Sequence, residues 1–412
     1  MRGRFWLAVL CGGIILTIGL GTRQSFGIFQ TGVAADFGVG RELWSFSTAL
    51  AMLLMGIFSP FVGNIADRFG SARTIACGSL AYVAGMFLMA TTRSELVLHF
   101  GNVICGLGLS AASFGPILGM LGRNAPPQYR SLALGLATAG GSFGQFAVVP
   151  FASFVTKSPA DWQHTMLILA FISIVMVPLS IALREDRRIA GAAKVAVQTT
   201  RQALHEAFAT RGFWLLTIGY FVCGFHVAFV GLHLPAYISD NAVSLTILGE
   251  TVDPLRLGGW AIGLVGLFNI AGSVLWGALG GKYQRKNLLA LLYFLRALSF
   301  ILFIILPLSG VSVLIFAATL GFLWLGTVPL TSGLVGFLFG PAYMSMLTGV
   351  AFMSHQIGSF MGGWGGGKLY DLLGGYTAMW WISVILGLMA AGLNIMIVEK
   401  PVARLAPQPA PA

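Results

Sequence analysis

Long apolar runs separated by short polar turns set the pattern of this chain. Twelve such runs stand at about residues 5–29, 42–63, 72–91, 95–122, 130–155, 162–183, 212–238, 258–280, 287–307, 311–339, 344–367 and 376–398. At ~1.5 Å of rise per residue, helices of these lengths cross a hydrocarbon core of ~30 Å. The pattern predicts an all-α polytopic membrane protein with twelve transmembrane helices in two pseudo-symmetric six-helix bundles. The one long polar segment, Arg184 to Arg211, divides the chain. Residues 1–184 form the first bundle, 185–211 a linker, 212–400 the second bundle, and 401–412 a Pro- and Ala-rich tail expected to be disordered. Within the linker, Ala203, Leu204, Ala207 and Phe208 fall at helical spacing opposite Arg201, His205 and Glu206. That spacing suits a helix lying on the membrane surface, and a solvated tether is the competing reading.

One polar turn stands out. Gly63-Asn-Ile-Ala-Asp67-Arg68-Phe-Gly70-Ser-Ala-Arg73 joins the second and third runs, so its glycines permit a tight helix junction and its charges lie at a membrane surface. The chain repeats it in degraded form 214 residues later as Gly277-Ala-Leu-Gly-Gly281-Lys282-Tyr-Gln-Arg285-Lys286. The same offset carries Gly135 onto Gly349 and Gly144 onto Gly358. Three landmarks at one offset imply two homologous halves, the architecture of carriers whose halves rock about a site near the bilayer midplane.

Composition agrees, with 57% hydrophobic and 9% charged residues, 55 glycines and 16 prolines. The net charge of +11 is a topology signal. Of 24 Lys and Arg residues, 17 fall on the side of both termini and five on the other. The excess places the termini in the cytoplasm and calls for no nucleic acid, so the expected location is the cell inner (plasma) membrane. The first run reads as a retained span, because no small-residue cleavage site follows it. Cys11, Cys77, Cys105 and Cys223 lie inside apolar runs without paired spacing, which indicates neither a disulfide nor a metal site, and no cofactor motif occurs. A monomer in the lipid bilayer is expected.

The turn G-x-x-x-D-R-x-G-x-x-R resembles the loop signature of the major facilitator superfamily. Together with Trp44-Ser45, Gly106-Leu-Gly-Leu109, Pro116 and Arg130-Ser-Leu-Ala-Leu-Gly135-Leu-Ala-Thr-Ala-Gly140, it looks like the monocarboxylate-transporter branch, which includes bacterial oxalate/formate exchangers. The resemblance implies import or exchange of small organic anions, often with a proton. It also implies that Gly63, Asp67, Arg68, Gly70, Arg73 and Arg130 act in gating, with Asp67 pairing with cations at the cytoplasmic ends of facing helices when the inner gate closes, Arg130 being one candidate. Three family charges are absent. Gln24, beside Arg23, stands where the family carries a lysine, and Asn269 and Ser273 stand where it carries an Asp and an Arg. Asn102 likewise replaces an arginine common in the superfamily on helix four.

Depth along the runs offers substitutes, since ionisable groups inside a membrane are costly and mark function by default. Arg296 and His355 lie near the middle of the ninth and eleventh runs, and His226 near the middle of the seventh, sharing a face with His233. By the 214 offset His355 matches Gly141, an asymmetry that a site built from one half would leave. Gln145 and Ser142 lie near mid-depth on the fifth run. The expected cavity is lined by His226, Asn269, His355 and Gln145, with either Arg23 or Arg296 as the permanent cation. For Arg296 the competing reading is a structural bond to backbone carbonyls, for Arg23 snorkelling from the outer end of its run, and for the histidines satisfied interior positions.

Gly140-Gly-Ser142-Phe-Gly144 matches the G-x-S-x-G of a hydrolase elbow, but it lies inside a long helix without a strand, so an intramembrane hydrolase is a remote alternative. No phosphate-binding loop is present to power a pump. The chain reads as a gradient-driven secondary carrier, not an enzyme. Efflux of a drug or other amphipathic compound is the alternative within carriers.

Overall fold

Each apolar run that ends at a glycine or a polar turn becomes a helix in the computed structural model, which describes residues 2–124, 130–184, 198–247, 249–340 and 343–405. Among the described residues, eleven helical segments are long and apolar enough to span a bilayer. We label the spanning units α1 (Gly3–Phe37), α2 (Glu42–Phe69), α3 (Ser71–Thr91), α4 (Glu95–Leu121), α5 (Arg130–Val155) and α6 (Pro159–Leu183). The second half continues with α7 (Arg211–Asp240), α8 (Pro254–Leu279), α9 (Arg285–Ile305), α10 (Gly310–Phe339), α11 (Met344–Leu373) and α12 (Thr377–Ile395). The exception to the apolar criterion is α11, a 30-residue helix whose hydropathy is diluted by Ser354, His355, Gln356 and seven glycines. It is also the helix that contributes most polar groups to the centre of the molecule.

Two elements depart from simple spans. The first helix runs on through a 3-10 segment, Ser25–Phe29, to Phe37, so Arg23 lies just beyond the middle of the span. This corrects the placement of Arg23 near an outer end: Gln30, beyond the end expected for the first run, is buried and donates to Ser45 Oγ at 2.8 Å. In α10 the helix breaks between Phe322 and Thr327. A broken helix in a membrane must satisfy its freed groups internally. Trp276 donates to Phe322 O (3.2 Å), Arg296 to Leu323 O and Trp324 O, and Leu325 N to Asn269 Oδ1 (3.0 Å).

The halves meet along two antiparallel seams, α2 against α11 and α5 against α8. Along the first, Gly363 packs on Ala49 and Gln356 on Gly56, and along the second, Gly263 packs on Pro150 and Gly266 on Gln145. One heptad further toward the face that carries the chain ends, Gly63 and Gly349 have no neighbour across the seam among the described residues. Gly135 also faces open space, and Gly277 meets only Pro329 of its own half. The halves are therefore closed on the face opposite the termini and splayed on the terminal face. A short hairpin, β1 (Leu245–Ile247) and β2 (Glu250–Val252), joins α7 to α8.

Beneath the second half, Thr199 and Gln202 form a capping box that starts the helix Thr200–Ala209, which buries Ala203 and Ala207. Pro401 to Leu405 of the tail is placed, with Val402 N bonded to Leu338 O and Arg404 paired with Glu206. The rest of the tail, 406–412, lies outside the described residues.

Candidate functional site

A cavity lies between the halves at mid-membrane, where α1, α2, α7 and α11 converge. Arg23, Gln24 and Gly27 face it from α1, Thr48 and Met52 from α2, Val227, Ala228, Gly231 and Leu232 from α7, and His355, Gln356 and Ser359 from α11. Its empty space is about 380 Å³, part of it open to solvent. That is room for waters or a ligand of a few atoms.

Its polar groups are incompletely paired. Arg23 makes no ion pair among the described residues, and its buried Nε has no hydrogen-bond partner. Thr48 Oγ1 and His355 Nε2 are likewise unpartnered. The tautomer of His355 follows from its neighbour. Gln356 Nε2 donates to Met52 O at 2.8 Å, which leaves Gln356 Oε1, 3.0 Å from His355 Nδ1, as the acceptor of an Nδ1 proton. Nε2 of His355 then presents a free lone pair. Arg23, Thr48 and His355 line one cavity without bonds to one another, an arrangement suited to a ligand that carries negative charge.

The structure brings Arg23, Gln24 and His355 together here, and places the other candidates elsewhere. His226 points away from the cavity into its own half, with Nε2 2.9 Å from Ser383 O on α12 and its ring edge-on to Phe300. It shares that inward face with His233, while their neighbours Val227, Ala228 and Gly231 turn to the cavity. Asn269 is fully engaged at the α5–α8 seam, donating to Ser142 Oγ (3.0 Å) and accepting from Ser273 Oγ and Leu325 N. Gln145 is buried in the same seam beside Gly266, its Nε2 without a partner. Arg296 is fully buried, with Nε and Nη2 on Leu323 O at 2.8 and 2.6 Å and its guanidinium 5.5 Å from the Tyr293 ring centre. It caps the C-terminal carbonyls at the α10 break, where a cation is favoured by the helix dipole.

Residues that sequence reasoning did not single out are Thr48, Met52, Gln356 and Ser359. The signal for two of them was present: Gln356 follows His355 directly, and Ser359 lies one turn further along an apolar run.

Of the turn residues, Gly70 adopts φ +96 at the α2–α3 junction, a value that favours glycine, and Arg73 is exposed. The expected Asp67–Arg130 pair lies outside the described residues, as does the side chain of Arg68.

Comparison with known proteins agrees with this architecture. A family model described as Major Facilitator Superfamily matches residues 6–363. The MFS-type transporter YcxA of Bacillus subtilis (strain 168) is 26% identical, covering 95% of this chain and 94% of its own length. Monocarboxylate transporter 13 of Rattus norvegicus is 27% identical, covering 95% of this chain and 88% of its own. Among solved structures, a bacterial homolog of the human lysosomal transporter Spinster, in an inward-facing and unoccupied conformation, superposes with a TM-score of 0.72 at 14% identity, covering 96% of this chain and 95% of that one. These relatives are carriers and not enzymes. The chain belongs to the Major Facilitator Superfamily.

Proposed function

We propose that this transporter is a secondary carrier of a small organic anion, which it binds at Arg23 in the central cavity. The observation that carries the reading is a mid-membrane arginine facing a cavity without a carboxylate partner. A guanidinium in that position needs an anion, and the ligand supplies it. Thr48 and His355 add hydrogen-bonding groups beside it. The kinship to proteins named monocarboxylate transporters supports the same class. Transport is by exchange or with a proton.

Counterflow of labelled lactate, oxalate or formate into proteoliposomes tests the reading. Arg23→Gln should abolish it with expression intact, and Arg23→Lys should restore it partly, since bidentate pairing is lost. If the parent and Arg23→Gln move these anions equally, or if only dye efflux is seen, the anion reading falls.

A further inference from the structure

On the face opposite the termini, the free amides and the charged side chains at the start of α2 are bonded to the other half of the molecule. No side chain of its own caps this helix. Instead Asp371, on α11, accepts from Arg41 N at 2.9 Å and from Glu42 N at 2.7 Å. The carboxylate reaches these amides because residue 40 is glycine, where a Cβ would stand 2.5 Å from Asp371 Cγ. The Arg41 guanidinium forks onto Asp240 at the end of α7, with Nη1 2.7 Å from Oδ2 and Nη2 bonded to Oδ1. Nη1 also donates to Tyr376 Oη at 2.8 Å, and the group lies 3.9 Å over the ring of Tyr370. Glu42 accepts from Trp364 Nε1 (3.0 Å) and Lys368 Nζ (2.8 Å).

Burial opposes the charge of Arg41, but the bonds to Asp240 and Tyr376 outweigh it and hold its pKa above the ordinary value. Tyr376 is itself fixed by His233, whose Nδ1 lies 3.1 Å from the phenol while Nε2 is 2.7 Å from Gly363 O. Two cations and the positive end of the α2 dipole thus face three carboxylates, a nearly neutral cluster. These groups hydrate well when separated, so the cluster can hold the face shut without making it permanent.

We propose that the N-terminus of α2, clasped by Asp240 and Asp371, is the latch that keeps the face opposite the termini closed, and that each transport cycle must break and remake it. This proposal does not rest on the identity of the substrate.

The test reads distance, not transport. Spin labels at Lys157 and Asn241, exposed sites on that face in the first and second halves, are introduced with the exposed Cys77 replaced by serine, and their separation is measured by pulsed electron resonance without substrate. Asp371→Asn and Gly40→Ala should each raise the ratio of long to short separations about tenfold, the shift expected for losing one charge-assisted bond. Gly40→Ala keeps every charge, so it remains informative if Asp371→Asn fails to fold. Asp36→Asn breaks the pair with Arg93, which lies on the same face within one half, and should leave the ratio unchanged. Parent-like distributions in both Asp371→Asn and Gly40→Ala would overturn the latch. So would an equal shift in Asp36→Asn, because any lost charge on the face would then suffice.

Discussion

Two arginines lie deep in this membrane protein, and what surrounds each decides its role. Arg296 has its guanidinium occupied by the carbonyls that the α10 break releases. Arg296→Met should lower stability by about 2 kcal/mol or more, as those carbonyls lose their donor in a site without water. Thermal unfolding in detergent checks this, and the surviving folded fraction should bind the anion as the parent does. Arg23, facing the cavity, should behave in the opposite way, with binding lost and stability kept. Depth in the sequence identified both residues but could not rank them. What separates them is the break between Phe322 and Thr327, which no residue pattern in α10 announces, and the continuation of α1 beyond the expected end of its run to Phe37.

At the level of elements, glycine positions record which helices touch. Gly144 abuts α1 at Thr17, and its repeat partner Gly358 abuts α7 at Phe221, so the internal offset in the sequence corresponds to the same helix contact made twice. The apolar runs made the spans legible for the same reason: each had to satisfy its backbone internally and present an apolar exterior. The face a helix turns inward was less legible, because inside a membrane both faces are apolar, and so the seven-residue spacing of His226 and His233 gave a shared face without its direction. Substitutions that add one methyl probe these contacts. A Cβ at Gly140 would stand 2.5 Å from Gly13 O, a backbone atom that cannot swing aside, whereas Gly135 has nothing within 4 Å. Gly140→Ala should lower the melting temperature by several degrees, while Gly135→Ala should leave it unchanged or raise it slightly through helix propensity worth about 1 kcal/mol.

For the whole molecule, the two seams behave as hinged zippers, joined from mid-membrane to one face and parted toward the other. Gly63 and Gly349 continue the α2–α11 register beyond the last contact, and Gly135 and Gly277 continue that of α5–α8. Closure of the terminal face about these seams, the motion expected of a rocking carrier, would bring each pair together. A large side chain at Gly349 has room in the present state and none in the closed one, so Gly349→Leu should fold and melt as the parent does yet cut counterflow about tenfold or more. The composition of α11 has a consequence of another kind, for biogenesis. Its serine, histidine, glutamine and glycines serve the cavity and the seam, and they leave it the spanning helix below the apolar threshold that the other segments exceed. Lateral entry of a nascent helix into lipid is governed by its own apolarity. The eleventh helix therefore depends on neighbours already in the bilayer, such as α7, to shelter its polar face, and the second half can reach its final topology only when nearly the whole chain has been made.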